Sequence, residues 1–153
     1  MKEPKPAASV VPVAYLLLEK QGEILLVRSL RQSVEGPWSI PSCVIGKGEL
    51  PRAAAARLGK DEFGLELTAI ELERVHTSYW VGGGDGGVDT AAYMFFARRR
   101  DGYFAVDRQQ RGEVRWMPWS EVPLEIGVGP REMLERIGCE GMSYSELREV
   151  VVA

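Results

Sequence analysis

The segment formed by residues 38–65 carries the charged side chains whose spacing could do chemistry. Its turn holds Glu49, and its predicted helix holds Arg57, Asp61 and Glu62. Residues three or four positions apart share one face of a helix, so Arg57 and Asp61 are predicted neighbours. A glutamate before a helix and carboxylates on that helix can converge on a hard cation such as Mg²⁺, which takes oxygen ligands. Taken alone this pattern is weak, because acidic pairs near a helix end usually form solvated surface.

The order and spacing of these residues resemble the Nudix box, G-x5-E-x7-R-E-U-x-E-E-x-G-U, in which U is a bulky aliphatic residue. Glu49 takes the place of the first glutamate, and Arg57 that of the arginine. Asp61 and Glu62 take the places of the acidic pair, and Gly64-Leu65 closes the motif. The resemblance implies that Asp61 and Glu62 hold Mg²⁺ or Mn²⁺. It also implies that Glu49 forms an ion pair with Arg57 or completes the metal site.

The chain departs from the box at positions where the family does its chemistry. Cys43 replaces the opening glycine, Leu58 replaces the glutamate after the arginine, and Gly59 replaces the bulky aliphatic residue. Asp61 stands where the box has a glutamate, and its side chain is shorter. Leucine offers no oxygen, and one lost electrostatic group can slow an active site ~100- to 1000-fold. Glu113, before a late predicted strand, is one candidate for a replacement ligand.

Similarity to the family extends over nearly the whole chain. It includes the early strand at residues 10–18, the strand before the box at 38–41 and the late segment 114–123. It implies a Nudix fold of class α/β (α+β), with a mixed β-sheet sandwiched between α-helices. We expect residues 1–8 to be a flexible N-terminal lead-in and residues 9–153 to form a single Nudix domain.

Local patterns predict the elements that must position the box. Alternating and β-rich runs predict strands at residues 10–18, 23–29, 67–81, 88–99 and 113–119. Proline at a first helical turn and glycine at the C-terminal cap predict a box helix that begins near Pro51 and ends before Gly64. A second helix is predicted at 130–137, and a short terminal helix or turn at 144–150.

Residues outside the box helix are candidates for substrate binding. A nucleobase could stack on aromatic side chains, and an arginine could donate to phosphate; the candidates are Trp38, Tyr79, Trp80 and Arg28. Each has a structural alternative, because strand aromatics usually belong to a core and strand-end arginines to the surface. The single histidine, His76, is either a base or a structural residue, and Cys43 is either a reactive thiol or a packing residue.

Composition narrows the classes of partner. The net charge of −3 argues against nucleic acid and against a membrane surface, which favour clustered lysine and arginine. The longest apolar stretch, residues 10–18, is too short to span a bilayer, and the N-terminus does not resemble a signal peptide. We therefore expect a cytoplasmic protein, and the resemblance to the Nudix family implies that its partner is a small nucleotide-like substrate. The resemblance also admits a homodimer.

Two functions remain open at the level of the sequence. The resemblance implies a pyrophosphohydrolase of nucleoside diphosphate-linked substrates, in which a metal-activated water attacks phosphorus. Leu58 makes such turnover weak or favours the alternative, a catalytically inactive Nudix-fold module that binds a nucleotide or a protein. Substrate choice is expected to depend on the loops at 33–37 and 82–87, which carry no recognisable signature.

Overall fold

The computed structural model of the protein describes residues 7–29, 38–82, 88–97, 112–122, 126–140 and 143–148. The predicted specificity loop at 33–37 lies outside the described residues, and so does the loop at 82–87 except for Gly82. Most of the predicted lead-in, residues 1–6, also lies outside them. Within the described residues, no helix is long and apolar enough to cross a membrane.

In the part of the chain that the structure describes, seven strands form one mixed sheet that two helices cover. In chain order the elements are β1 Val10–Lys20, β2 Glu23–Ser29, β3 Ser42–Val44, α1 Pro51–Phe63, β4 Leu72–Val81, β5 Asp89–Ala97, β6 Gly112–Pro118, α2 Val128–Glu140 and β7 Tyr144–Arg148. The strand order is β6-β2-β1-β5-β4-β7, and β3 pairs with β1 beside this path. β1 is parallel to β5 and β4 is parallel to β7, whereas the other pairs are antiparallel. The predicted mixed sheet between helices is confirmed.

Alternation along the strands builds two hydrophobic cores on opposite faces of the sheet. The α1-side core includes Ala14, Leu16 and Leu18 of β1 and receives residues of α1. The α2-side core includes the intervening residues Tyr15 and Leu17 and receives residues of α2. Each strand of the sheet centre therefore supplies both cores, and the two helices occupy opposite faces.

Three predicted elements are corrected by the structure. The strand expected before the box at 38–41 lies at Ser42–Val44, and Trp38 and Ser39 form only isolated bridges. The strand predicted at 67–81 begins only at Leu72, because Ala69–Glu71 forms a single 3-10 turn. Thr68 caps the start of this 3-10 turn, and its backbone N–H donates to the Glu71 carboxylate at 3.2 Å. The terminal segment, predicted as a helix or turn, is the strand β7. It pairs with the edge of β4, which supplies the backbone partners that an isolated short strand lacks.

Small residues allow α1 to lie close against the sheet. Pro51 opens the helix, and Gly64 closes it in a left-handed conformation with φ 68°, where a side chain would be strained. The buried face consists of Ala54, Ala55, Leu58 and Gly59. A Cβ on Gly59 would lie 2.7 Å from Leu67 Cδ1, so the Leu67 side chain occupies the space beside this glycine.

A glycine also sets the approach of α2 to the opposite face. A Cβ on Gly129 would lie 2.6 Å from Cη2 and 2.8 Å from Cζ2 of Trp80. The indole of Trp80 is only 7% exposed and belongs to the α2-side core. The first turn of α2 therefore rests directly on the Trp80 ring.

Candidate functional site

A bidentate ion pair joins the loop of the box to its helix. Arg57 Nε donates to Glu49 Oε2 at 2.8 Å, and Arg57 Nη2 donates to Glu49 Oε1 at 3.0 Å. The backbone N–H of Gly46 donates to the same Oε1 at 2.9 Å, and Arg57 Nη2 also donates to the carbonyl of Val44 at 3.1 Å. The pair thus connects the end of β3, the turn and α1. We call Glu49 and Arg57 the box clamp.

The electrostatics of the clamp keep both partners charged. Hydrogen bonds from Arg57, and then from the Gly46 N–H, lower the pKa of Glu49 to about 2. The bond to Glu49 raises the pKa of Arg57 in turn. Glu49 is therefore ionised at neutral pH with both of its oxygens engaged, which favours a positioning role for this carboxylate over direct metal binding.

The acidic pair occupies the last turn of α1. Asp61 is exposed and Glu62 is half-buried. The charge of Asp61 contributes to raising the pKa values of Arg57 and Cys43, so Asp61 lies within the electrostatic reach of the clamp.

The side chains at the box do not form a metal cage made by protein alone. No group of three or more His, Cys, Asp or Glu side chains in the described parts of the chain is placed to hold a metal ion. Mg²⁺ is commonly bound by one or two carboxylates together with substrate phosphates and water. Two adjacent carboxylates, Asp61 and Glu62, fit a metal ion that is shared with the phosphates of a substrate.

The position of the missing glutamate belongs to the core. Leu58 is 5% exposed and packs in the α1-side core with β1. On the helix it lies three and four positions before Asp61 and Glu62, so it shares their side of α1. The substitution has therefore replaced a carboxylate beside the acidic pair with an apolar contact.

Cys43 has the surroundings of a packing residue. Its thiol donates to the carbonyl of Ala54 at 3.5 Å, and Arg57 Nη2 lies 3.8 Å from its Sγ. Burial is the main reason why the pKa of this thiol is raised, although Arg57 acts in the opposite direction. The thiol is therefore protonated at neutral pH and is a poor nucleophile.

Arg28 and Trp38 are brought together, but they border the other core. The guanidinium of Arg28 lies 4.8 Å from the centre of the Trp38 ring and forms an ion pair of 2.6 Å with Glu113. Trp38 packs against the α2-side core, and Arg28 follows Leu26 of that core by two residues along β2. The expected substrate contacts at Arg28 and Trp38 are thus separate from the box, and Glu113 pairs with Arg28.

Tyr79 and Trp80 are adjacent in β4 and face opposite sides of the sheet. Tyr79 is half-buried, and its hydroxyl donates to Asp89 Oδ2 at 2.9 Å. Trp80 lies in the α2-side core with its indole N–H donating to Ser78 Oγ at 2.8 Å, so it has little surface for a substrate. Of the two alternatives weighed for these rings, base stacking or a place in the core, Trp80 has the place in the core, because strand alternation turns it inward.

His76 is a structural residue within β4. It is fully buried, and its Nε2 lies 2.8 Å from Ser145 Oγ of β7. Ser145 Oγ in turn donates to Ser78 Oγ at 2.9 Å. A buried polar chain thus ties the last described strand to its neighbour, which supports the structural interpretation of His76.

The α1 side of β5 carries residues that the sequence interpretation missed. Tyr93 faces this side opposite Ala14, and Asp89 faces it opposite Val10. Period-two alternation along β5, counted from the core residue Phe95, would have placed both residues on this face.

The fold and the box clamp together have the form that the resemblance predicted. The sequence profile of the NUDIX domain matches residues 8–137, and the chain therefore belongs to the Nudix family. The comparison with curated protein sequences found no relative.

Solved structures with the same fold share little sequence with the chain. The solution structure of the E. coli ORF135 protein has a TM-score of 0.69 and 19% identity, and the match covers 87% of this chain and 91% of that one. A MutT protein from Bacillus halodurans has a TM-score of 0.70 and 18% identity, over 90% and 89% of the two chains. The NUDIX domain of Shewanella oneidensis NrtR, complexed with ADP ribose, has a TM-score of 0.62 and 17% identity, over 86% and 87%. At these identities the likeness establishes the fold.

Proposed function

We propose that the protein is a slow, divalent-metal-dependent pyrophosphohydrolase of nucleoside diphosphate-linked substrates. The observation that carries this proposal is the box clamp, which holds the loop against α1 in front of the acidic pair. A clamp with both partners engaged fixes the loop relative to the helix, and a fixed geometry is what a phosphate-transfer site requires. ADP ribose, the ligand of the similar NrtR domain, is a nucleoside diphosphate derivative, which supports this substrate class.

Each box residue has a distinct role in this proposal. Glu49 and Arg57 are positioning residues, because they form their hydrogen bonds with each other and with the backbone. Asp61 and Glu62 would hold Mg²⁺ or Mn²⁺ together with the substrate phosphates. When bound, the metal ion neutralises phosphate charge and lowers the pKa of a coordinated water. Leu58 adds no oxygen to this set, which is the reason for expecting slow turnover.

A second function is favoured by the burial of Leu58. Because this residue is part of the α1-side core, the chain has stabilised its fold at the position where the family carries a carboxylate. A module that binds a nucleotide without hydrolysing it needs no third carboxylate. The second candidate is therefore a catalytically inactive nucleotide-binding module with the same site.

The test is release of phosphate and pyrophosphate from a panel of nucleoside triphosphates, dinucleoside polyphosphates and nucleotide sugars. The reactions contain Mg²⁺ or Mn²⁺, and the key variant is Glu62→Gln. We expect turnover by the natural protein and a loss of about 100-fold or more in Glu62→Gln, since an amide is a poor ligand for a hard cation. Glu135→Gln is the matched control, because Glu135 is exposed on α2 on the opposite face.

The outcomes separate the two candidates. Turnover that disappears in Glu62→Gln and persists in Glu135→Gln supports the hydrolase and identifies its substrate class. Turnover that survives in Glu62→Gln contradicts the assignment of the acidic pair. Absence of turnover across the panel, with measurable nucleotide binding, favours the binding module instead.

A further inference from the structure

The strand β7 lies beyond the part of the chain that matches the Nudix family. The family match ends at residue 137, whereas β7 spans Tyr144–Arg148. It extends the sheet by pairing with β4 in parallel, from Thr77 opposite Tyr144 to Val81 opposite Arg148. It therefore lies outside the matched segment and forms the outer edge of the sheet beside β4.

The strand register places Tyr144 on the same face as the box. One row of directly paired residues crosses five strands in the order Cys43, Ala14, Tyr93, Thr77 and Tyr144. Paired residues in neighbouring strands point to the same side of a sheet, and Ala14 belongs to the α1-side core. Tyr93 and Tyr144 therefore face the side on which α1 carries the box.

A second row brings Tyr79 and Glu146 to this face. Pro12, Ala91, Tyr79 and Glu146 are paired in that order across β1, β5, β4 and β7. We call Tyr79, Tyr93 and Tyr144 the tyrosine platform. Tyr144 is 48% exposed, and the other two rings are half-buried. Tyr144 is paired with Thr77, two residues before Tyr79 on the same face of β4, so the Tyr79 and Tyr144 side chains are diagonal neighbours.

Two carboxylates lie within the platform and are oriented by it. Asp89 accepts from the Tyr79 hydroxyl at 2.9 Å and from the backbone N–H of Gly82 at 3.0 Å. Glu146 accepts from the Tyr144 hydroxyl at 3.0 Å. Ionised carboxylates only accept hydrogen bonds and repel phosphate, so this face is complementary to a ring edge that carries N–H donors.

We propose that the tyrosine platform binds the planar base of the substrate and selects bases with a ring N–H beside an exocyclic amino group, as in guanine. This inference rests on the proposed function, since it concerns the base of the same substrate. The aromatic rings supply stacking surface. Glu146 Oε1 and the second lone pair of each Asp89 oxygen supply acceptors for the donor edge, because one carboxylate oxygen can accept two hydrogen bonds. Adenine offers an acceptor nitrogen beside its amino group and fits two carboxylates less well.

The geometry also gives the substrate a direction. Strands in a sheet lie about 4.8 Å apart, so Tyr93, two strands from Cys43, lies about 10 Å from the start of the box. The clamp arginine contacts Cys43, and the acidic pair lies on the helix beyond it. A base on the platform therefore leaves its phosphates near the box, at a distance from the carboxylates that would repel them.

The experiment measures equilibrium binding of compounds that cannot be hydrolysed between phosphorus atoms. The ligands are α,β-methylene GDP, α,β-methylene ADP and methylenediphosphonate, the last as a probe of phosphate binding alone, with Mg²⁺ and titration calorimetry. We expect Tyr144→Leu to weaken binding of the guanine compound about tenfold, because one stacking ring is lost, and Tyr144→Phe to change it by less than about twofold. Methylenediphosphonate should bind all variants equally.

Glu146→Gln tests the carboxylate without removing a ring. Glu146 is exposed, so this variant retains the packing of β7 even if Tyr144→Leu loosens the strand. We expect the preference for the guanine compound over the adenine compound to fall about fivefold, since charge-assisted hydrogen bonds are roughly twice as strong as neutral ones. Glu135→Gln is again the control and should leave the preference unchanged.

The results distinguish the platform from the hydrolase. If methylenediphosphonate and the guanine compound bind but neither Tyr144→Leu nor Glu146→Gln alters the base preference, the platform is overturned while the proposed function stands. If the base preference depends on Tyr144 and Glu146 but the panel shows no turnover, the platform is supported and the hydrolase is not.

Discussion

The two faces of the sheet are built from the same strands and each carries a hydrophobic core, but they differ in where their polar groups lie. On the α1 side, charged and phenolic groups reach the surface around the box clamp and the tyrosine platform. On the α2 side, the polar side chains of His76 and Ser78 in β4 are buried, and both are hydrogen-bonded to Ser145 of β7. Tyr79 and Trp80 show the contrast within one peptide unit, because one ring faces the candidate site and the next ring lies in the core. Strand alternation thus places the candidate site on one face and the fully buried polar groups of β4 on the other.

The strongest test of the difference between the two faces is to remove the ring of Trp80 or the ring of Tyr79. We expect Trp80→Ala to lower the free energy of unfolding by about 3–5 kcal/mol, because a large buried ring leaves a cavity against α2. Tyr79→Ala should cost only about 1 kcal/mol, chiefly the hydrogen bond to Asp89. Urea unfolding followed by circular dichroism measures both. Equal costs for the two variants would contradict the separation of the faces.

A variant of Leu58 tests whether stability on the α1 side was gained at the expense of catalysis. Leu58→Glu buries a carboxylate and should lower the free energy of unfolding by roughly 2–3 kcal/mol. It should also raise metal-dependent turnover about tenfold or more, because it restores an oxygen beside the acidic pair. Thermal unfolding and the substrate panel measure the two effects.

Leu58→Gln is the matched variant, since it has the same shape without the charge. We expect it to be destabilised like Leu58→Glu but to remain as slow as the natural protein. If Leu58→Glu is no faster than Leu58→Gln, the low activity has another source, for which Gly59 and Cys43 are the next positions to restore.

The smallest expected effects concern the two helix glycines. Gly129→Ala should destabilise the protein by about 1–3 kcal/mol, because the new methyl group meets a rigid indole ring. Gly59→Ala meets the flexible end of Leu67 and gains about 1 kcal/mol of helix propensity, so its net effect should stay within about 1 kcal/mol. Thermal unfolding compares them. A larger loss for Gly59→Ala would show that α1, and not α2, has the tighter contact.

Much of the fold could be predicted because the relevant signals are local. Apolar runs specified β1 and β2, and Pro51 with Gly64 specified the ends of α1. The resemblance to the Nudix box implied that Glu49 pairs with Arg57 or completes the metal site, and the structure has the ion pair. The prediction of a helix or turn at residues 144–150 was wrong, because the partner of β7 is the edge of β4, which is distant in sequence. Such tertiary pairing overrides local preference.

The candidate site could be predicted only in part, because some of its features depend on tertiary pairing and packing. Arg28 and Trp38 lie away from the box because of the strand order and the packing around the α2-side core. The residues next to them in sequence do not indicate either feature. Tyr79 and Trp80 differ, because their separation follows from period-two alternation that the sequence already contains. The base-binding expectation is therefore carried by Tyr79 and extended by Tyr93 and Tyr144, two rings that only the register brings beside it.

The pairing of β1 has a consequence for how the chain folds. β1 is paired with its neighbour in sequence, β2, at only two register positions, Glu19 with Ile24 and Lys20 with Glu23. Along its apolar part it pairs with β5, from Val10 opposite Asp89 to Leu18 opposite Ala97. Contacts between such distant segments form slowly, because a long loop must close before they stabilise the chain. β3 pairs with β1 at Val13–Tyr15 soon after synthesis, but the opposite edge of β1 stays unpaired until β5 has been synthesised. An unpaired apolar strand edge is prone to aggregation.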